Sequence, residues 1–586
     1  MNRSALATIV VGVMLAWPVG CIETGSIDAN VLNRYQQAMV RKGPQQRSGA
    51  EGMEQLRPAP GTTGPELKVD TVEVEPGKAR PQVRLPLDEA VMRALANNLD
   101  IRVVSYDPAM SREEMVKAAA AFDLAVFGAA NYRDDDKMTY TPSLPSRSEL
   151  STYQAGIKQH AVTGADWSLA WTLTRTWDNS AYSMMPLRFE PTMVLSVTQP
   201  LLRNAWPDYN LSKLRIAGIN TKVSQSQFRA QVEQTVAYVV WTYWSLWQAR
   251  REVEILRGIL KEATDTRQIV KTQYEEGATA AFQVAQVESA VKTREAAVAR
   301  ARKNIVDLQD KLARLLADAQ LATLGEGDYE IDPLSPPLEE QMTVDATGQL
   351  VMALQHNPVL EQARLGIALA DVNVRVAENQ TLPKLDLSAS AGMQGLDETV
   401  HGASREFWSR DYISYNVGLM LEHPLGNRGA IAELRRSQFA RQKAVAQMQN
   451  VADQLALAIR ERIRQINTSY EELRKQRDAA TAARAYVDGL KALSDPKAGK
   501  RMDPVTLFMV LQAQDATASA ERLYLAAVVA YNSAITDLAK TTGTLLELHR
   551  IRLAAASGDT DWPVPTVQPT TSPAGPSRPA TTTVRP

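Results

Sequence analysis

The fold is decided by residues 166–178, which read Asp-Trp-Ser-Leu-Ala-Trp-Thr-Leu-Thr-Arg-Thr-Trp-Asp. Every second position from Trp167 to Trp177 is apolar except Arg175, and the positions between them are serine, alanine or threonine. A period of two is that of a β-strand, and it puts the apolar and the small polar side chains on opposite faces. This segment therefore predicts a strand with one apolar face and one wet face.

The same alternation recurs on both sides of this strand. Strands are predicted at about 122–202 and, after a long interval, at about 384–424. Segments of about ten residues that are apolar on one face, with tryptophans near their ends, are typical of transmembrane β-strands. The alternation also fits a soluble sandwich with one wet face. The export signal and the long helices described next favour the membrane interpretation.

Long stretches without proline follow each group of strands. No proline lies between Pro207 and Pro333, between Pro424 and Pro496, or between Pro504 and Pro563. Because proline breaks helix interiors, these stretches permit very long helices, and apolar residues recur in them at steps of three and four. A helix over 208–275 would be roughly 100 Å long at about 1.5 Å per residue. We predict helical hairpins at about 207–318 and 427–550. A free-standing coiled coil would explain these hairpins but not the strands.

The chain contains an internal duplication. Residues 93–99 (Arg-Ala-Leu-Ala-Asn-Asn-Leu) are echoed by residues 352–358 (Met-Ala-Leu-Gln-His-Asn-Pro), and Gln199-Pro200-Leu201 is echoed by His423-Pro424-Leu425. Residues 282–286 (Phe-Gln-Val-Ala-Gln) are echoed by residues 508–512 (Phe-Met-Val-Leu-Gln). A repeat at this scale indicates two similar structural units. Each unit has a short helix, then strands, then two long helices.

The N-terminus has the pattern of an export signal. A basic start precedes an apolar run from Ala5 to Trp17, which is too short to span a membrane. The single cysteine, Cys21, follows Val19-Gly20 and resembles the cleavage site of bacterial lipoproteins, at which the cysteine carries the lipid. An ordinary signal peptide with an incidental cysteine is the alternative. By analogy with lipoproteins, Ile22 rather than aspartate favours delivery to the outer membrane.

These features predict the following organisation of the chain. Residues 1–20 form a signal peptide, and 21–84 a lipidated, flexible lead-in rich in Gly, Pro and Gln. Residues 85–318 form the first repeat, 319–350 an equatorial linker and 351–556 the second repeat. Residues 557–586 form a disordered tail rich in Pro and Thr. The net charge of −1 implies no nucleic-acid partner.

In its order of motifs the chain resembles the TolC-type outer-membrane efflux proteins over about residues 85–555. The resemblance rests on Leu87-Asp88-Glu89-Ala90, on residues 199–202 (Gln-Pro-Leu-Leu), on residues 381–387 (Thr-Leu-Pro-Lys-Leu-Asp-Leu) and on the two helix-turn-helix tips. It implies a mixed α/β membrane protein that is internally duplicated. In such proteins a homotrimer forms one transmembrane β-barrel, continued by a long α-helical coiled-coil barrel in the periplasm.

The resemblance also implies a function and partners. The expected function is a passive outer-membrane exit duct of a tripartite efflux or type I secretion system. Its expected partners are a periplasmic adaptor (a membrane fusion protein), an inner-membrane RND or ABC pump, and outer-membrane lipid. A trimer is expected on physical grounds as well, because the few strands of one chain cannot close a barrel and open edges are not tolerated in hydrocarbon.

The first repeat is longer than the second by roughly 35 residues, all between its opening helix and Pro200. This length accommodates one extra hairpin, which we assign to 153–162, the turn Thr163-Gly164-Ala165 and 166–177. We predict six strands per protomer and 18 per trimer, against 12 in the family. The alternative is an extracellular hairpin that stands outside the barrel wall.

The resemblance implies that the hairpin tips hold the gate and the adaptor-docking surface. The residues concerned are Gly277, Gln283, Val284 and Gln286 in the first hairpin, and Arg501, Asp503, Met509, Val510 and Gln512 in the second. In the family, acidic residues narrow the pore; the matching positions here, Gln283, Met509 and Gln512, are neutral. A turn or helix-cap role for these residues is the alternative. Pro200, Leu201, Pro424 and Leu425 are predicted strand-to-helix junctions.

The sequence carries no pattern of an enzyme. Its five histidines have no metal-ligand spacing, and it has no glycine-rich phosphate loop or nucleophile motif. We therefore predict no catalytic activity, no metal and no cofactor. The alternative function is a periplasmic adaptor-type or structural coiled-coil lipoprotein, although the β-rich lipoyl domain that adaptors usually carry is not visible.

Overall fold

The computed structural model of the protein describes residues 69–75, 78–141, 144–318, 320–321, 329–493 and 504–551. The predicted signal peptide, the lipidation site Cys21 and the predicted tail lie outside these residues, as do Arg501 and Asp503 at the second tip.

Two strands, β1 (Val69–Glu75) and β2 (Lys78–Leu85), precede the first repeat. The repeat itself follows the predicted order and opens with α1 (Leu87–Asn97) and α2 (Leu99–Ala119). Four strands come next: β3 (Ala125–Asp136), β4 (Arg147–His160), β5 (Asp166–Asp178) and β6 (Leu187–Pro200). A short helix α3 (Pro207–Asn210) leads into the long hairpin of α4 (Ser212–Glu275) and α5 (Ala281–Leu316).

The second repeat has the same order with two strands fewer. After β7 (Glu330–Pro333) come α6 (Ala346–His356), α7 (Pro358–Gln380) and β8 (Lys384–Gln394). A short helix α8 (Val400–Ser409) separates β8 from β9 (Ile413–Glu422). The second hairpin consists of α9 (Arg428–Leu493) and α10 (Pro504–Thr542), followed by α11 (Leu545–Leu548). Of the helices described, none combines the length and the apolar character needed to cross a bilayer.

Within the described residues, strands of both repeats form one antiparallel sheet in the order β3-β4-β5-β6-β8-β9. The inserted hairpin is part of this sheet, because β5 pairs along its length with β4 on one side and with β6 on the other. The prediction that this hairpin adds two strands to a sheet of six is therefore confirmed. The alternative of a hairpin that stands clear of the sheet is wrong.

The strand register gives the sheet one apolar face. One row of paired residues crosses all six strands and contains Gly128, Ala155, Trp171, Met193, Met393 and Ile413. The next row contains Val126, Ile157, Leu169, Leu195, Ala391 and Tyr415. A neighbouring row on the opposite face contains Ala129, Gln154, Thr172, Thr192 and Gln394. Because paired residues share a face, the alternation read in single strands becomes an apolar surface over the whole sheet.

The duplicated asparagines explain why each repeat starts in the same way. The Asn98 side chain accepts a hydrogen bond from the backbone N–H of Ile101 and caps α2, and Asn357 caps α7 through Val359 and Leu360. Each side-chain amide also donates to a carbonyl near the end of its own repeat's hairpin, Asn98 to Leu315 and Asn357 to Thr541. One residue type therefore starts a helix and fixes it to the returning long helix.

The expected flexible lead-in ends earlier than we predicted. Residues 69–75 and 78–85 are strands, and β2 pairs in parallel with β7 to form a three-stranded sheet in the order β1-β2-β7. The prediction of a flexible segment up to residue 84 is wrong for these residues. β1 and β2 form a hairpin within a segment rich in Gly, Pro and Gln, and β2 pairs with β7, which lies far away in the sequence.

The three tryptophans of α4 belong to one apolar core or lie against it. Trp244 is buried in one cluster with Ile331, Leu545 and Leu546, and Trp241 and Trp247 lie against this cluster. The Tyr243 hydroxyl donates to the carbonyl of Leu85 at 3.0 Å. Residues of the predicted equatorial linker and residues after α10 therefore pack against α4, and they share one apolar core with β2.

Gly543 connects the end of α10 to the α6–α7 joint. Its φ is +73°, and a Cβ at this position would lie 2.5 Å from the carbonyl oxygen of His356. We expect Gly543→Ala to lower the free energy of unfolding by about 1–3 kcal/mol, since both strain and a backbone clash oppose it. The measurement is thermal unfolding in detergent, followed by circular dichroism.

Gly258→Ala is the matched control. A Cβ at Gly258 would meet no heavy atom of the described residues within 4 Å, and alanine favours the helix by about 1 kcal/mol. Equal melting temperatures for the two variants would contradict the assigned role of Gly543.

Candidate functional site

The tip of the first hairpin is built by a glycine and a glutamine. Gly277 adopts a φ of +72° after α4, and the backbone N–H of Ala278 donates to the carbonyl of Gln273. Gln283 is only 3% exposed, and its side-chain oxygen accepts from the backbone N–H of Ala280 at 3.2 Å. This geometry is the helix-cap role that the sequence left open. Val284 packs against an apolar cluster that includes Val270 and Val287, and Gln286 is partly exposed.

The tip of the second hairpin exposes two of its predicted residues. Met509 and Gln512 are exposed, whereas Val510 is buried against Val487 and Leu490 of the partner helix α9. The three neutral positions that the sequence grouped as a gate therefore have different surroundings in the protomer. Gln283 is buried, whereas Met509 and Gln512 are exposed.

The two hairpins contact each other just behind their tips. An apolar cluster contains Val270 and Val287 of the first hairpin, with Leu507 and Leu511 of the second. Behind the tips, the first hairpin therefore contacts helix α10 of the second hairpin through apolar side chains.

Arg294 is a buried polar link between the hairpins that the sequence did not indicate directly. Its side chain is 4% exposed. Its guanidinium donates to Gln514 Oε1 at 2.8 Å and to Asp515 Oδ1 at 2.9 Å, both on α10. It also donates to the carbonyls of Leu511 and Ile259. One cation therefore joins α5 to both α10 and α4.

The sequence does contain a signal for Arg294. The buried residues Val287, Val291, Arg294 and Val298 follow steps of four, three and four, so the arginine occupies a seam position of α5. A charge within an apolar seam requires a polar partner, because an unpaired buried charge is costly. The seam therefore predicts a partner, but not which helix supplies it.

The strand-to-helix junctions differ between the repeats. Pro200 is buried, and the N–H of Leu201 donates to the carbonyl of Leu385. The turn of the inserted hairpin packs here, with Gly164 at a φ of +91° and the N–H of Trp206 bonded to the carbonyl of Thr163. This turn fixes the insert to the end of the sheet from which the long helices start.

The second junction is open to its surroundings. Pro424 and Leu425 are exposed, Leu425 completely. Gly426 and Asn427 have positive φ angles, and the Asn427 side chain donates to the carbonyl of Thr381. The difference arises because β9, which leads into this junction, is an edge strand of the sheet.

A polar cleft of about 360 Å³ lies between α4, α9, α10 and the α6–α7 joint. Arg462 pairs with Asp537 at 3.2 Å across it, and the Lys540 ammonium lies 5.4 Å from the centre of the Trp241 ring. Burial raises the pKa of Asp537 and lowers that of Lys540. These charges have partners inside the cleft, so we interpret it as a structural joint between the hairpins.

Glu233 is the most buried charge of this cleft. Burial raises its pKa to about 7, although the nearby Arg229 opposes the shift. Arg229 donates to Glu233 at 3.1 Å and to the carbonyl of Gly543 at 2.8 Å. The pair therefore links α4 to the end of α10.

No group of three or more potential metal ligands occurs among the described residues.

Sequence comparison identifies the relatives of this chain. The profile of the outer membrane efflux protein family matches residues 190–318 and 350–544, more than half of the chain. The alkaline protease secretion protein AprF of Pseudomonas aeruginosa is 25% identical over 50% of this chain and 58% of its own length. The outer membrane protein TolC of Escherichia coli is 24% identical over 33% of this chain and 38% of its own. The chain thus spans about half the length of the curated relatives it matches.

Structure comparison gives the same group. The outer-membrane channel OprN superposes with a TM-score of 0.59 and 16% identity, over 78% of this chain and 90% of that one. The CmeC outer membrane channel of Campylobacter jejuni gives a TM-score of 0.59 and 15% identity, over 78% and 86%. At this identity the likeness shows a common fold, helix-rich and mixed α/β.

Replacing Arg294 tests the link between the hairpins. We expect Arg294→Ala to lower the free energy of unfolding by about 1–3 kcal/mol, because the buried Gln514 loses a charged donor. Thermal unfolding followed by circular dichroism measures the effect. Arg484→Ala is the control: Arg484 is 69% exposed where it pairs with Glu521, so its loss costs at most about 1 kcal/mol. Similar losses in both variants would refute a special role for Arg294.

The raised pKa of Glu233 predicts how stability depends on pH. A carboxyl whose folded pKa is about 7, above the ordinary value of 4.5, favours the folded state most at low pH. This contribution, up to about 3 kcal/mol, is lost as pH rises from about 4.5 through 7. We expect melting temperatures of the wild type to fall over this range relative to those of Glu233→Gln.

Glu472→Gln serves as the control, because Glu472 is exposed on α9. Its melting temperatures should run parallel to those of the wild type. Parallel curves for Glu233→Gln and the wild type would show that Glu233 does not titrate in this range.

Proposed function

Because this chain belongs to the outer membrane efflux protein family, we propose that it is the outer-membrane exit duct of a tripartite efflux or type I secretion system. The family consists of transport proteins, in agreement with the prediction of a protein without enzymatic activity. The observation that carries the proposal is the six-stranded sheet, which has one apolar face and two open edges.

The sheet edges require a partner of the same kind. β3 and β9 each pair on one side only within the described residues, and β9 is exposed almost throughout, with Val417, Leu419 and Leu421 each more than half exposed. Unpaired backbone groups cannot face hydrocarbon. Because the sheet has an even number of antiparallel strands, β9 of one copy and β3 of the next can pair antiparallel. A homotrimer would thereby close a barrel of 18 strands.

The apolar face has the height of a membrane. Trp167 and Trp177 lie on this face at opposite ends of β5, ten residues apart and hence about 34 Å along the strand. At a tilt of about 40° this distance corresponds to roughly 25 Å across the bilayer, the usual height between aromatic girdles. Barrel diameter grows roughly linearly with strand number, so 18 strands give a lumen about half again as wide as 12.

The helical part carries a second surface that requires a neighbour. Leu99, Val103, Tyr106 and Met110 follow one face of α2 at steps of four, three and four, and all are exposed. The opposite face of α2, with Ile101 and Ser105, is buried. An exposed apolar seam of this spacing is typical of a helix that packs on another helix. We assign it to the next protomer of the coiled-coil barrel, whose helical part would lie in the periplasm.

The tips are assigned to gating and docking. Met509 and Gln512 would line the pore there, and we assign Arg501 and Asp503 to the same tip from the sequence alone. The aromatic rings of Phe282 and Phe508 are exposed at equivalent positions of the two hairpins and suit an apolar docking surface. We propose a periplasmic adaptor as the docking partner, with an inner-membrane RND or ABC pump behind it.

The N-terminus is proposed as a lipid anchor through Cys21. Together with the barrel it would hold the protein in the outer membrane. AprF is by name a protein of alkaline protease secretion, and OpmQ, another relative, one of pyoverdine export. The cargoes named for these two relatives differ. We therefore propose that the pump, and not this chain, selects the cargo. Membership of the channel family argues against the adaptor-type or structural lipoprotein considered from the sequence.

Single-channel recording tests this proposal. Purified protein should be a trimer by native mass measurement and should open discretely in a planar bilayer. Met509→Asp with Gln512→Asp should raise the preference for cations, because each trimer gains six carboxylates near the pore. Ser289→Asp, exposed on α5, is the control and should leave selectivity unchanged. A monomer, or a folded trimer without openings under any condition, would contradict the exit duct.

A further inference from the structure

Loops at one end of the sheet expose large apolar side chains. They are the β3–β4 loop (137–146, of which 142–143 are not described), the β5–β6 loop (179–186) and the β8–β9 loop (395–412). Their most exposed members are Met138, Tyr140, Tyr182, Met184, Trp408 and Tyr412. Patches of this kind, in contrast to scattered single residues, mark interaction surfaces.

The β8–β9 loop holds its exposed rings on a fixed frame. Helix α8 buries Ala403 and Phe407, and the Asp397 carboxylate accepts from the backbone N–H of Thr399 at 2.8 Å. The backbones of Asp397 and Phe189 exchange hydrogen bonds, which attach the loop to β6. Trp408 is 65% exposed, although the helix that carries it is fixed to the sheet.

The β3–β4 loop is supported from the other side. Asn179 accepts from the backbone N–H of Arg147 at 3.0 Å and donates to the Ser146 hydroxyl at 2.8 Å. The β5–β6 loop thus braces the β3–β4 loop. Met138 and Tyr140 extend from the braced loop into solvent, with Met138 fully exposed.

These two loops lie at opposite edges of one protomer's sheet. β3 ends at Asp136, next to the β3–β4 loop, and β9 begins at Ile413, directly after the β8–β9 loop. β3 and β9 run in opposite directions, so both loops are at the same end of the sheet. When β9 of one copy pairs with β3 of the next, as in the proposed trimer, the two loops meet across the seam.

We propose that the β8–β9 loop of each protomer clasps the β3–β4 loop of its neighbour at the outer end of the barrel. Trp408 and Tyr412 on one side pack against Met138 and Tyr140 on the other. Aromatic rings and flexible thioethers suit such a contact, because methionine adapts its shape to a ring. The partner is a second copy of this chain, since the loops continue the two edges that must pair. This inference rests on the proposed function.

Cross-linking of the full-length protein tests the clasp. The double variant Tyr140→Cys/Trp408→Cys is treated in detergent or vesicles with a short bis-maleimide and separated on a denaturing gel. We expect covalent dimers and trimers, at least tenfold more than in either single variant. The matched control is Tyr182→Cys/Trp408→Cys, because the β5–β6 loop lies two strands further from the edge, about 10 Å away. It should give at least tenfold fewer covalent dimers and trimers.

The outcomes separate the clasp from the trimer. Native mass measurement of the same sample reports the trimer independently, and a monomer would refute both. A trimer in which the two double variants cross-link equally little would overturn the clasp and leave the exit duct intact. The clasp would also be overturned if a fluorophore on Trp408→Cys in the trimer were quenched by brominated lipid without any cross-link, because the loop would then face the bilayer.

Discussion

The structure depends on how backbone hydrogen bonds are satisfied at the two edges of one sheet. Inside the sheet every strand pairs along its length, but β3 and β9 have one open side each within the described residues. Edges of this kind invite pairing with another chain, and a closed ring of strands removes them. In the helical part, the exposed apolar seam of α2 likewise calls for a partner surface. Both surfaces lack a partner within the described residues of one chain, and we propose that a copy of the chain supplies it.

The long helices are joined by polar contacts at several points along their length. Asn98 and Asn357 bond the starts of α2 and α7 to the C-terminal ends of the returning helices α5 and α10, in the same way in each repeat. Arg294 joins the hairpins behind their tips, and the cleft around Glu233 joins them near the sheet of β1, β2 and β7. Buried polar groups of this kind specify one register among several that an apolar seam would allow. The two hairpins therefore have defined contacts with each other both behind their tips and at the cleft around Glu233.

Much of this could be predicted from local sequence. The alternation at 166–178, the gaps between prolines and the echo of Asn98 in Asn357 gave the strands, the hairpins and the duplication, because each reflects a short-range period. The length difference between repeats predicted the inserted hairpin, and β5 lies in the sheet. The strands β1 and β2 were missed, because their hairpin lies in a segment rich in Gly, Pro and Gln and β2 pairs with the distant β7. The sequence grouped Gln283 with pore residues, and the structure adds that its side chain accepts a hydrogen bond from the Ala280 N–H at the start of α5.

The sequence by itself determined which faces are apolar, where helices and strands lie and that two units are related, because side-chain period follows from backbone geometry alone. Only the tertiary structure decided which residues meet across the chain: that Arg294 reaches α10, that Glu233 is buried enough for its pKa to rise, and that α8 holds Trp408 outward. These contacts join residues far apart in sequence. Their energies depend on distance and burial, which a linear pattern does not contain.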